Sequence, residues 1–113
     1  MAPGEIYLGT FPFGAGGGGK LRPVLLLTGP LGTVPEFLVA YISSVVPPQL
    51  MPSDIVIDPH ASDYAATNLK TVSVLRLHKL ATIHQRSIVR LLGSISLSTQ
   101  TEIADRLRAL LGL

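Results

Sequence analysis

Between two short β-prone runs, Gly4-Glu5-Ile6-Tyr7-Leu8 and Lys20-Leu21-Arg22-Pro23-Val24-Leu25-Leu26-Leu27, the chain carries Gly14 to Gly19, where every residue but Ala15 is glycine. Local preference does not fix such a backbone. The arrangement predicts two strands of a small β-barrel joined by a mobile arm, with a cation where the second strand begins. Ile6 to Phe13 is apolar and β-prone, and Pro12 predicts a strand end or an edge there. Val24 to Leu27 is a continuous apolar run of the kind found in a strand buried on both faces. Thr28-Gly29-Pro30-Leu31-Gly32 then turns the chain.

Further strands are expected at Phe37 to Ile42, Asp54 to Ile57 and Thr71 to Leu77. The proline-rich stretch from Val45 to Pro52 and the polar one from Asp58 to Asn68 read as loops. Thr82 to Ile95 fits either a last strand or a short helix, because Ile88, Val89, Leu91 and Leu92 satisfy both periods. At the end, Thr99 and Glu102 have capping-box spacing. Ile103, Leu107, Leu110 and Leu111 recur at helical spacing, and Gly112 is the stop. Short strands followed by one amphipathic helix predict a mainly β fold, a small Src-homology-3-like barrel forming a single domain over residues 1–113.

A chain of 113 residues that is 47% hydrophobic has more apolar surface than one small domain buries. The surplus predicts a homodimer or a partner protein. The net charge of +2 permits contact with a polyanion through a few well-placed cations, not through a dense basic coat. With no cysteine, disulfide frameworks, thiolate metal sites and cysteine nucleophiles are excluded. The N-terminus has no basic region leading into an apolar run, and no apolar stretch nears the roughly 20 residues that span a bilayer. A soluble cytoplasmic protein, without membrane contact, is the expectation.

Several segments, in this order and spacing, resemble the MazF, Kid and PemK toxins of bacterial toxin-antitoxin modules. They are Gly4-Glu5-Ile6, Lys20-Leu21-Arg22-Pro23-Val24, Val39-Ala40-Tyr41-Ile42-Ser43-Ser44, Ser73-Val74-Leu75-Arg76-Leu77-His78-Lys79-Leu80-Ala81-Thr82-Ile83 and Ile88-Val89-Arg90-Leu91-Leu92-Gly93. The resemblance implies a CcdB/MazF-like barrel, a homodimer, and sequence-selective cleavage of single-stranded messenger RNA with no metal or other cofactor. It also implies a cognate antitoxin that blocks the site. By the same resemblance Arg22 lies in the RNA site, Ser43 and Ser44 contact the substrate, and Arg76 and His78 occupy the positions of an arginine and an acidic residue in the Kid-like branch. A histidine thus stands where that branch has an acid, and Ser43 replaces the commoner threonine.

The chemistry of these residue types is compatible with that reading. RNA cleavage without a metal requires a base for the 2′-hydroxyl proton, a cation for the charge on phosphorus, and an acid for the leaving oxygen. Histidine serves as base or acid because its unperturbed pKa is about 6.5. Arg76, permanently protonated and able to grip phosphate in a fork, suits the stabilising role. Period-two alternation in a strand sends Arg76 and His78 to one face. The catalytic candidates are therefore Arg76, His78 and Arg22; the substrate-binding candidates are Ser43, Ser44, Lys20 and Ser73.

Plainer roles exist for each. Arg76 and His78 could be solvated residues of a strand end, Arg22 could pair with Glu5 or Asp54, and the serines could bond the backbone where the chain leaves the sheet. Tyr7, Tyr41 and Tyr64 could stack on bases, although packing is the commoner role. Gly14 to Lys20 matches the start of a phosphate-binding loop, but Leu21 replaces the magnesium-holding hydroxyl and a strand follows where a helix is needed. Asp58, His60, Asp63 and His84 match no familiar metal spacing, and a polar loop explains them. Two other functions remain open at this point. One is a non-enzymatic toxin like CcdB, whose gyrase-poisoning terminus carries Trp-Gly-Ile where this chain has Leu111-Gly112-Leu113. The other is a catalytically weakened RNA-binding relative.

Overall fold

The computed structural model describes residues 1–12 and 19–113, so Phe13 and the predicted mobile arm from Gly14 to Gly18 lie outside the described residues. Six strands form one antiparallel sheet: β1 (Glu5–Phe11), β2 (Lys20–Leu26), β3 (Glu36–Ser43), β4 (Asp54–Ile57), β5 (Ser73–His84) and β6 (Ile88–Ser94). Their spatial order is β4-β5-β3-β2-β1-β6. A C-terminal helix, α1 (Leu97–Leu111), follows.

The sheet is wrapped, with a core on each face. On the inner face Ile6, Leu25, Ile42, Ile55, Leu75 and Leu77 meet Ile103 of the helix. On the outer face Tyr7, Phe11, Val24, Leu26, Phe37 and Val39 form a second cluster with Ile83. Val24 to Leu26 therefore contributes to both cores, which is why that run is apolar without alternation. Edge strands β4 and β6 do not pair with each other; a 3-10 helix, Ser62–Thr67, closes the gap. It lies against Gly93 of β6 so closely that a side chain there would strike the carbonyls of Ala66 and Thr67. Asn68, in the left-handed region at φ 55°, donates from Nδ2 to the Leu92 carbonyl at 2.8 Å.

Several expectations are corrected. The segment from Asp58 to Asn68 is not wholly irregular, since it contains this 3-10 helix. The fifth strand runs seven residues beyond Leu77 because Leu80 to His84 continues pairing with Glu36 to Ala40. The ambiguous region resolves into the end of β5, a short 3-10 turn and β6. The helix begins earlier than the Thr99 and Glu102 spacing predicts. Ser96 is the N-cap, accepting from the Thr99 N–H at 3.2 Å, and Glu102 instead pairs with Arg106 at 2.9 Å. Of the predicted apolar stripe, Ile103 and Leu107 pack on the inner core while Leu110 and Leu111 stay exposed. Arg106 ties the helix to the entry of β4 by donating to the carbonyls of Pro52 (2.7 Å) and Asp54 (3.1 Å).

Candidate functional site

The sequence candidates fall into two groups. The first centres on Arg76. Between Ala40 and Tyr41 of β3 the partner residue on β5 jumps from Leu80 to Arg76, so Leu77, His78 and Lys79 bulge out of the ladder. Leu77 donates instead to the carbonyl of Ser53 at 2.9 Å. Bulges of this kind re-aim side chains. Here Arg76 and His78 both come to Asp54, as the common face predicted from sequence requires.

Asp54 stands directly across from Arg76 in the β4-β5 ladder. Arg76 donates from Nε to Oδ1 at 2.9 Å and from Nη2 to Oδ2 at 3.3 Å. The carboxylate is wholly buried, whereas 19% of the Arg76 side chain remains exposed. Burial pushes the Asp54 carboxyl upward, but hydrogen bonds from Arg76 and the Met51 N–H, with the charges of Arg76 and His78, outweigh it and hold the pKa below the usual carboxylate value. His78 approaches Asp54 at 4.0 Å through Nδ1, and the same nitrogen bonds the Ser53 hydroxyl at 2.7 Å. Because Nδ1 is so engaged, any proton exchange with a substrate falls to Nε2.

The second group lines an open cleft of about 630 Å³ at the mouth of the inner core. Arg22, Ser44 and Ser73 line it, joined by Lys70, Thr71 and Arg90, over an apolar floor that includes Leu8, Pro23 and Leu92. Arg22 pairs with neither Glu5 nor Asp54: Asp54 holds Arg76, Glu5 takes the N-terminal ammonium at 3.8 Å, and Arg22 donates from Nη1 to the Leu21 carbonyl at 2.8 Å. Its exposed guanidinium therefore has donors to spare. Ser73 donates to the Thr71 carbonyl at 2.9 Å. Among the described residues no carboxylate lines the cleft.

Two candidates belong to neither cluster. Ser43 is buried, accepting from the Val45 N–H at 3.1 Å and donating to the Val45 carbonyl at 3.3 Å, the backbone-bonding role foreseen as its plainer alternative. Lys20 opens β2 opposite Phe11, away from the cleft lining. The polar loop residues are dispersed: Asp58 accepts from the His60 N–H at 2.9 Å, and His84 accepts from the Arg86 N–H at 3.0 Å. Among the described residues no cluster of acids and histidines is arranged to hold a metal ion.

The sequence reading did not find Ser53, Lys70 or Arg90. Asp54 was considered only as a partner for Arg22. The missed signal was that Asp54 opens the fourth strand as Arg76 sits in the fifth, which adjacent antiparallel strands can place opposite each other.

The family model for PemK-like, MazF-like toxins of type II toxin-antitoxin systems matches residues 2–111. No curated protein matches the chain in sequence. Among solved structures, the Mycobacterium tuberculosis toxin MazF-mt6 is similar at TM-score 0.72 and 22% identity, over 96% of this chain and 97% of that one. A mycobacterial endoribonuclease in complex with its cognate antitoxin is similar at TM-score 0.71 and 17% identity, over 100% and 96%. MazF in the MazE-MazF structure from Deinococcus radiodurans is similar at TM-score 0.69 and 18% identity, over 100% and 97%. At these identities the likeness concerns the fold.

Proposed function

Since the chain belongs to the PemK-like, MazF-like toxins of type II toxin-antitoxin systems, we propose that it is an endoribonuclease that cuts single-stranded messenger RNA sequence-selectively and without a metal. We read it as a homodimer restrained by a cognate antitoxin. The observation that carries the reading is the cleft, where the exposed Arg22 and Ser44 meet with no carboxylate among the described lining residues to repel a phosphodiester.

In the reaction the 2′-oxygen forms a bond to phosphorus, the bond from phosphorus to the 5′-oxygen breaks, and a 2′,3′-cyclic phosphate and a 5′-hydroxyl result. A base accepts the 2′-hydroxyl proton and an acid delivers one to the leaving oxygen. Arg22 holds the phosphate and the charge that grows on it, with Ser44 beside it, while the buried Ser73 fixes the loop through Thr71. His78 exchanges protons through Nε2, and Arg76, anchored by Asp54, supplies a fixed positive charge beside it. The separate location of the His78 cluster favours one other arrangement, in which Arg76 and His78 only maintain the sheet and, in the cleft, water takes the 2′-hydroxyl proton and delivers one to the 5′-oxygen while the cations hold the phosphate.

Long single-stranded RNA incubated in EDTA tests both. Discrete cuts with cyclic phosphate ends, lost in Arg22→Ala, support the enzyme; uncut RNA sinks it. With folding matched by circular dichroism, a His78→Ala protein about 10²–10⁴-fold slower in kcat supports proton transfer by His78. Unchanged kcat assigns the chemistry to the cleft alone.

A further inference from the structure

Lys70 and Arg90 come from segments far apart in sequence, the loop before β5 and strand β6, yet they line the same cleft as Arg22. Both are exposed, and neither forms an ion pair or side-chain hydrogen bond among the described residues. Arg76, Arg106 and Arg108 are each paired with a carboxylate, whereas Arg22, Arg90 and Lys70 of the cleft are not, and Arg86, also unpaired among the described residues, lies in the turn before β6 and outside the cleft lining. Three cations without carboxylates around one cleft repel one another unless an anion joins them. The elements carrying them are held in place, since β6 is locked to the 3-10 helix at Gly93 and by the Asn68 bond to Leu92.

From this we infer that Lys70 and Arg90 extend the anion site begun by Arg22, so that the cleft grips consecutive phosphates of one RNA strand. The apolar floor between these cations suits an unstacked base, whereas a lone small anion would leave that surface wet. An acidic peptide is the competing occupant. The strand is favoured because Arg22 and the exposed Ser44 already present cationic and hydroxyl groups suited to a phosphodiester. The inference rests on the proposed function only in naming RNA as the strand, and it concerns binding rather than cleavage.

The test uses the full chain and a fluorescent 2′-O-methyl RNA strand, which has no 2′-hydroxyl to attack, with affinity measured by anisotropy across a range of salt. Each phosphate neutralised contributes about 0.7 to the slope of log affinity against log salt for single strands. Lys70→Ala and Arg90→Ala should each make the slope shallower by about 0.7, and the double variant by about 1.4. Arg108→Ala, on the far end of α1, should leave it unchanged. Unchanged slopes for Lys70→Ala and Arg90→Ala overturn the inference, as does an equal loss in Arg108→Ala. A loss confined to a poly-glutamate peptide probe gives the cleft to a protein partner and also overturns it. If these slopes change as expected while the parent leaves ordinary RNA uncut, the enzymatic reading fails and the phosphate track stands.

Discussion

Asp54 shows how one residue governs a cluster. Its carboxylate is fully buried, and the Arg76 fork and the Met51 N–H satisfy it. Removing one member of such a pair leaves the other poorly compensated, so Asp54→Asn should lower stability at pH 7 by about 3 kcal/mol in urea melts. The pH dependence follows from its depressed pKa. The ionised carboxylate stabilises the fold fully above the unfolded carboxylate value, and this contribution is lost as the pH falls through the lower folded value. The gap between parent and Asp54→Asn should therefore close in acid, below about pH 4. A gap that persists unchanged at pH 2.5 would contradict this account. Arg76 and His78 were legible as a pair from their spacing, but Asp54 and Ser53 were not. Their contacts depend on which strands are neighbours and on the bulge at Leu77 to Lys79.

Among the elements, the 3-10 helix at Ser62–Thr67 does what a seventh strand would otherwise do, by covering the β6 edge. The absence of a side chain at Gly93 is what permits that approach. Gly93→Ala should push the two apart and cost about 1–3 kcal/mol, read as a lowered urea midpoint. Because Lys70 follows this helix and Arg90 precedes Gly93, RNA affinity should fall with it. A Gly93→Ala protein as stable as the parent would show that the gap is not closed here. At the helix terminus, Ser96→Ala should cost about 1 kcal/mol by loss of the cap to Thr99. The cap was misassigned from sequence because Ser96 and Thr99 both offer a hydroxyl three residues before a polar or acidic residue. Only the φ and ψ angles distinguish the residue outside the helix from one in its first turn.

At the scale of the molecule, the surplus of apolar residues inferred from composition has a location. Val89 and Leu91 of β6 are 57% and 53% exposed, and Val45, Val46, Leu50 and Met51 lie open before β4. Multi-angle light scattering is expected to give about twice the mass of one chain, as such surfaces are seldom left to water. Replacing Val89 and Leu91 with Asp should shift that mass toward the monomer if β6 lies in the contact; an unchanged dimer would move the interface elsewhere. Among the described residues no helix is long and apolar enough to cross a membrane.

What the chain determined by itself was the local part: runs of β-branched and leucine residues cut by proline and glycine, a terminal helix, and an alternation that turns Arg76 and His78 the same way. These depend on neighbours along the chain, where sterics and the period of a strand or helix act directly. The tertiary structure alone decided the rest: β4 beside β5 rather than β3, a 3-10 helix closing the barrel, Asp54 given to Arg76 rather than Arg22, and Lys70 and Arg90 gathered around Arg22. Those outcomes depend on sheet order and on a three-residue bulge, which join residues distant in sequence and leave no periodic trace in it.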